Sequence, residues 1–276
     1  AVTIPIILAQ LITQFVSLLD NLMVGQLTTA EFNGVSIANQ FFFVFNLAIF
    51  GAFAGPGIYA TQHHGAKNLE RVKECIRYKW VIGIIISIIG IIVFITFDDL
   101  LFNLFIHEEE LGDVDPLEVI KSGKEYVKVM LIGLVPFMIS EIYSTNLREA
   151  KQTLIPMVAN IIAVFVNLIL NYIFIFGKFG APALGVVGAA IGTVVARIIC
   201  CLIVMIYAHS SKKYRFNSEV FKKLLPSKES FITIFKKSYI LLINEFLWSL
   251  GMMLINYCYS FRGLEVVAAV NISSMF

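Results

Sequence analysis

Asp20 interrupts VSLLDNLMVGQL (16–27), an otherwise largely apolar run, and Asn21 follows it directly. Gln10, Thr13, Gln14, Ser17, Asp20 and Asn21 recur at steps of three and four, so on a helix they form one polar stripe. Asn160, Asn167 and Asn171 make a second stripe, and Glu245, Ser249 and Asn256 a third, beside Trp248 and Tyr259. A carboxylate among amide and hydroxyl oxygens is a set of hard ligands with one negative charge, suited to a monovalent cation such as sodium. A carboxylate withdrawn from water can instead carry a proton. Aromatic faces next to Glu245 add the means to hold an organic cation, through charge and cation–π attraction.

Each polar residue also has a structural use. An amide or hydroxyl inside a membrane span commonly bonds a neighbouring helix, at ~1 kcal/mol, and the asparagines alone suit either role. Asp20 is different, because a neutral residue would join helices at lower cost; Glu245 stands in the same position. Glu141, near Ser140, Ser144 and Thr145, is a third intramembrane acid. Arg197 reads as structural, paired with an acid or extended to the membrane surface.

The elements that must position these residues follow from composition. Of 276 residues 58% are hydrophobic and only 14% charged, whereas soluble domains carry about a quarter charged residues. Mean hydropathy is +0.84. This is a polytopic membrane protein by composition, an all-α bundle, and its net charge of +2 gives no ground for nucleic-acid binding. Apolar runs of ~20 residues suffice to cross the bilayer core. They occur at 3–27, 34–62, 75–97, 126–146, 154–176, 184–208 and 234–261, with an eighth starting near 266. The first is too long for a signal peptide and lacks a basic leader or a cleavage site. Thr28 with Glu31 makes a capping box ahead of the second span, and Asp115, Pro116 and Glu118 mark a helix start before the fourth.

Charge distribution tests the count. Fifteen of the 21 basic residues fall in alternate connections: Lys67 to Lys79, Arg148 with Lys151, and Lys212 to Lys237. The positive-inside rule makes that side, and the N-terminus, cytoplasmic in a cell membrane. The acidic segment 98–118, with eight carboxylates, then faces outward as a solvated loop. Residues 209–233 are basic, with Phe216, Val220, Phe221, Leu224 and Leu225 at amphipathic spacing, and predict a surface helix that links two halves. Residues 238–276 echo 3–41 in hydropathy and share Leu19/Leu254, Asn21/Asn256, Val35/Val270, Ile37/Ile272 and Phe41/Phe276. Six helices per repeat would make the repeats parallel. The predicted organisation is a six-helix lobe over 1–208, a linker over 209–233 and the start of a second lobe over 234–276. The eighth run is too short to span, so the chain reads as a fragment of a twelve-helix protein.

Other features resolve to packing. Cys75, Cys200, Cys201 and Cys258 lack metal-ligand spacing. Gly185, Ala189, Gly192 and Ala196 give the sixth span a small face for close helix contact. Gly51, Gly55, Pro56 and Gly57 predict a bend in the second span. Adjacent His63 and His64 diverge on a helix and do not make a metal pair. No phosphate-binding loop, hydrolytic triad or HExxH motif is present. An enzyme is not indicated, no cofactor is implied, and any transport would draw on an ion gradient or a partner chain.

Five blocks resemble the multidrug and toxic compound extrusion (MATE) family of secondary transporters: PIILAQLITQFVSLLDNLMVGQL (5–27), GIYATQHHGAKN (57–68), LREAKQTLIPM (147–157), NLILNYIFIFGKFGAPALGVVGAAIGT (167–193) and NEFLWSLG (244–251). They stand in family order across nearly the whole chain. The resemblance implies twelve helices in two lobes and export of organic cations and other amphipathic compounds in exchange for Na+ or H+. Position by position, it makes Asp20 the first-helix coupling-ion residue, with Asn167 beside it and Thr193 in the same site. Asn171 falls where many relatives carry a second aspartate, which leaves sodium and proton coupling both open. Glu245 matches a seventh-helix glutamate in the central cavity, where Trp248, Tyr259, Gln10 and Gln14 would meet substrate or proton, and Tyr143 matches a fourth-helix site residue. No metal other than sodium is implied, and the expected state is a monomer in lipid. Two other readings stand beside this one: a flippase of lipid-linked glycan precursors, which needs more cavity-lining cations than Arg197, and a structural membrane protein whose stripes only join helices.

Overall fold

The computed structural model describes residues 19, 22–106, 114–211, 214, 216–223, 225–263, 266, 269, 270 and 273. Thr28 opens the first long helix as its sequence dictates: Thr28 Oγ1 accepts from the Glu31 backbone N–H at 3.3 Å, and Glu31 Oε2 accepts from the Thr28 N–H at 3.1 Å. Helix α1, Thr29–Gly65, then runs unbroken for 37 residues through Pro56. At 1.5 Å per residue it is roughly 55 Å long and reaches beyond a bilayer core of about 30 Å. The glycines of this stretch receive neighbours. A Cβ at Gly51 would lie 2.9 Å from Glu245 Cβ, one at Gly55 would overlap Ser238, and one at Gly57 would lie 2.7 Å from Glu149 Oε1.

Asn68 caps α2, Leu69–Thr96, by accepting from the Arg71 N–H at 3.2 Å. One side of α2 exposes Ile84, Ile88, Ile92 and Ile95 at helical spacing, a continuous apolar face of the kind lipid covers. The acidic stretch that follows is not all loop. Asp98–Phe105 forms α3, whose Phe102 and Phe105 are buried against Phe41 at ring-centroid distances of 6.3 and 5.7 Å. Two buried phenylalanines outweigh the local acidity, and Lys124 ties the segment down from α4 by ion pairs of 3.1 Å to Asp98 and 2.5 Å to Asp99. Burial by itself would raise the Asp98 pKa; donation from Lys124 and from the Asp99 backbone, with the Lys124 charge, outweighs it and holds the carboxyl below its ordinary value.

Asp115 caps α4, Pro116–Met130, with Pro116 in the first turn. A 3₁₀ turn, Leu131–Gly133, joins it to α5, Leu134–Glu149, so the fourth span begins ten residues before the apolar run does. Arg197 serves this irregular turn: Nη1 donates to the Gly133 carbonyl at 3.5 Å, and the guanidinium lies 5.0 Å over the Phe137 ring. Helix α6, Leu154–Phe176, ends at Gly177, whose φ of +63° is the left-handed cap that glycine supplies without strain. Helix α7, Gly185–Ser210, packs on α6 through its small face, Gly188 lying against the Phe174 carbonyl and Gly192 against Asn171.

Between α7 and the next long helix, where the sequence predicts a surface helix across 209–233, the described residues make one turn, α8 (Phe216–Glu219), and a 3₁₀ turn, Val220–Lys222. Phe216 and Val220 are buried while Phe221 and Leu225 are exposed. The segment is held to α2 by its own backbone. Arg77 Nε donates to the Lys223 carbonyl at 2.8 Å, Glu74 accepts from the Ser227 N–H at 2.7 Å, and Lys73 pairs with Glu219 at 2.6 Å. Ser227 then caps α9, Lys228–Ser260, which leans on α1 along its length. Asn256 Nδ2 donates to Gln40 Oε1 at 2.7 Å across that contact. Six rods among the described residues are long and apolar enough to cross a membrane: α1, α2, the joined α4 and α5, α6, α7 and α9.

Candidate cation and substrate site

Helices α6 and α7 bring three of the four proposed ion-site residues together. Asn167 and Asn171 are four apart, hence neighbours on one face of α6. Asn171 Nδ2 donates to Asn167 Oδ1 at 3.4 Å, Asn167 Nδ2 donates to Thr193 Oγ1 at 3.2 Å, and Thr193 Oγ1 donates to the Ala189 carbonyl at 3.1 Å. Asn171 is fully buried. Its carboxamide lies against the backbone of α7 at Gly192, where any Cβ would overlap Asn171 Oδ1. Glycine is therefore the residue that lets the two helices close on the amides. The stripe continues to Asn160, whose Oδ1 accepts from Cys200 Sγ at 3.3 Å. Asp20, Gln10 and Gln14 lie outside the described residues.

A second polar locus sits between α1 and α5. Glu141 and Asn46 line a cavity of about 340 Å³ with Phe43, Leu47, Phe50 and Phe137. Ser140 and Thr145 do not support this carboxylate. Their hydroxyls donate to the Phe137 and Glu141 carbonyls of their own helix at 2.8 and 2.7 Å. Asn46 Oδ1 is buried without a hydrogen-bond partner among the described residues, which leaves an acceptor open beside the cavity. Phe43 connects this cavity to α9, its ring 6.0 Å from that of Trp248. Arg197 covers Phe137 and the Gly133 carbonyl instead of entering an open cavity. An acid, an amide and three phenylalanines form a pocket matched to an amphipathic cation. The isolated asparagine in FFFVFNLAIF (41–50) was the sequence signal for Asn46. The phenylalanines had none, since they look like ordinary core.

The seventh-span residues divide. Ser249 is buried and donates to the Phe246 carbonyl of its own helix at 2.7 Å, whereas Asn256 bonds Gln40 and so joins α9 to α1. Glu245 is half-buried where α9 crosses Gly51. Trp248 and Tyr259 are 54% and 39% exposed, the first at the mouth by Phe43. Tyr143 is buried against Trp80 and His209, with ring centroids 6.2 and 5.4 Å away, and its partners are not those of Asn167.

Sequence alone gave no hint of a third cluster. Lys79, counted among the surface charges by its position, is completely buried. Its ammonium donates to Glu149 Oε1 at 2.5 Å, Asn146 Oδ1 at 3.0 Å and Thr145 Oγ1 at 3.2 Å. Asn146 in turn donates to Asn217 Oδ1 of α8 at 3.1 Å, which carries the network into the connection to α9.

A bundle of long apolar helices with polar loci buried among them is a multi-pass membrane fold, and comparison with known proteins gives its family. The MatE family model matches residues 5–173, more than half of the chain. The chain belongs to the MatE family. It is similar to a probable multidrug resistance protein NorM of Thermotoga maritima, 28% identical over 261 residues, which covers 93% of this chain and 54% of that relative. It is also similar to the probable multidrug resistance protein YoeA of Bacillus subtilis, 27% identical over 98% of this chain and 57% of the relative. The chain thus spans little more than half the length of these curated relatives. Among solved structures, an outward-facing multidrug resistance MATE family transporter of the MOP superfamily matches with a TM-score of 0.77 at 20% identity, over 99% of this chain and 58% of that one. An inward-facing one matches with a TM-score of 0.76 at 20% identity, over 95% and 56%.

Proposed function

We propose that this chain forms the first lobe, and the start of the second, of a cation-coupled antiporter that exports organic cations, drugs or toxic metabolites from the cell. Coupling is to Na+ or H+ bound at Asp20 with Asn167, Asn171 and Thr193. The observation that carries the reading is the continuous bonding from Asn171 through Asn167 to Thr193 across α6 and α7. Amide and hydroxyl oxygens held this way need only one carboxylate to complete a monovalent cation site. Substrate occupies the α1/α5 cavity, its positive charge facing Glu141 and its apolar body against Phe43, Phe50 and Phe137. Glu245, Trp248 and Tyr259 form the α9 side of the path.

Nearly equal likeness to outward- and inward-facing transporters supports a lobe that keeps its internal packing while the whole rocks between states. Ion occupancy works by binding one state better than the other. The basic connections support an N-terminus on the cytoplasmic side of the plasma membrane, and the proposed working unit is a monomer. The lipid-linked glycan flippase finds no support in Arg197, which is spent on Gly133 and Phe137.

The test is efflux of a fluorescent organic cation from cells that express the full-length protein. Wild-type protein lowers cellular fluorescence, and Asp20→Asn abolishes this while membrane insertion stays normal. Undiminished efflux by Asp20→Asn overturns the ion-site assignment.

A further inference from the structure

Two cavities of opposite character lie along one seam, where α1 forms the floor and α2 and α9 the walls. At the basic end a cavity of about 420 Å³ is lined by Tyr59 and His63 of α1, Arg71 and Glu74 of α2, and Ser230 and Lys237 of α9. Further along the same three helices a cleft of about 490 Å³ is wholly apolar, with Phe45 and Ala48 of α1, Ile86 and Val93 of α2, and Phe246 and Leu250 of α9. The spacing Arg71, Cys75, Tyr78, Ile82, Ile86, Ile89 and Val93 keeps to one face of α2, so both cavities open on the same side. At the basic end α9 meets α2 where Tyr78 packs on Phe231, ring centroids 5.1 Å apart, and beyond that contact the two helices wall the apolar cleft.

The polar end is built for a phosphate. Arg71 uses one N–H on Ser230 Oγ, at 3.1 Å, and keeps the rest of its five-donor fork for another acceptor. Lys237 holds its ammonium 5.0 Å over the Tyr59 ring, pointed into the cavity mouth. Glu74 does not oppose them, because Arg77 and the Ser227 N–H already occupy its carboxylate at 2.6 and 2.7 Å. Glu229, on the rim, is the one remaining carboxylate of the lining. Depth matches a lipid as well. Leu242 and Leu250 stand about 7 and 20 Å beyond Lys237 along α9, the range that one leaflet's acyl chains occupy in a core of about 30 Å.

We propose that this seam binds one glycerophospholipid from the leaflet at the basic end of the bundle, its phosphodiester held by Arg71 and Lys237 and an acyl chain laid in the apolar cleft. A soluble phosphate would leave the cleft unused, and an uncharged lipid would leave the cations unpaired. The bound lipid fills the cleft between α2 and α9 and adds to the Arg71–Ser230 and Tyr78–Phe231 contacts that already join the two.

Native mass spectrometry of the full-length protein tests this, with dioleoylphosphatidylglycerol as the probe and glycerol phosphate as its soluble counterpart. Wild-type protein retains one lipid and no glycerol phosphate. Removal of both charges, in Arg71→Gln/Lys237→Gln, weakens retention roughly thirtyfold. Ala48→Phe fills the cleft from α1 and also lowers retention, with helix content and monodispersity checked in both variants. Should Ala48→Phe misfold, the charge variant decides alone, since Arg71 and Lys237 are exposed. No retained lipid, unchanged retention in the charge variant or in a folded Ala48→Phe, or equal retention of glycerol phosphate overturns the proposal.

Discussion

Lys79 and Glu149 join α2 to the end of α5 by an ion pair of 2.5 Å in which the lysine has no exposure to solvent. Gly57 of α1 makes room for the carboxylate, and Asn146 links the pair to Asn217 of the connecting segment. A buried charge without its partner costs far more than the intact pair contributes, so Lys79→Ala destabilises the fold by about 3–5 kcal/mol. Lys79→Met/Glu149→Gln recovers most of that loss. Thermal unfolding of the detergent-solubilised protein measures both, and equal destabilisation by single and double variants would contradict the assignment.

In the proposed ion site, Asn171 sets the number of charges. Asn171→Asp adds a carboxylate within reach of Asn167, which in turn bonds Thr193, worth at least ~1 kcal/mol toward a bound cation, or roughly fivefold in affinity. The sodium dependence of efflux, or proton dependence where that ion couples, shifts to lower concentration by this factor. A shift in the opposite sense, or none, places the coupling ion elsewhere.

Gly192 permits the α6/α7 approach that seats the Asn171 amide. Gly192→Val forces those helices apart at a cost of about 1–3 kcal/mol, and transport falls with little loss of inserted protein. Asn167 and Thr193 then lose their 3.2 Å contact. Retained transport by Gly192→Val would show that the amide network is only helix packing.

In the proposed substrate pocket, Glu141 would discriminate by charge. Glu141→Gln raises the half-saturating concentration for a cationic substrate roughly tenfold or more, while a neutral analogue of the same shape is handled as before. Paired KM and kcat measurements on the two compounds check this. Equal effects on both would assign Glu141 to structure.

Helix positions were largely legible from hydropathy because lipid imposes a simple rule on length and composition. The Thr28–Glu31 box and the Asp115–Pro116 start were local chemistry and read directly. The acidic segment misled, since Phe102 and Phe105 bury beneath it through contacts with Phe41, more than 60 positions away. Around Pro56 nothing in sequence shows that Glu245, Ser238 and Glu149 approach the glycines. Lys79 was hidden by the same limit: a lysine near a helix end looks solvated until its partners are known. Asn167 and Asn171 were legible as a stripe by their spacing, and Thr193 through resemblance, whereas the Asn46/Glu141 cavity needed two helices distant in sequence to be brought together.

The central claim is that an ion gradient, through Asp20 and the α6/α7 amides, drives export. The most direct measurement uses full-length protein in proteoliposomes loaded with a fluorescent organic cation, with Na+ and H+ gradients imposed separately and then abolished. Countertransport that follows one gradient, stops when both are dissipated, and is absent in Asp20→Asn is the predicted result. Transport that proceeds at the same rate with neither gradient, or that survives Asp20→Asn unchanged, would contradict it.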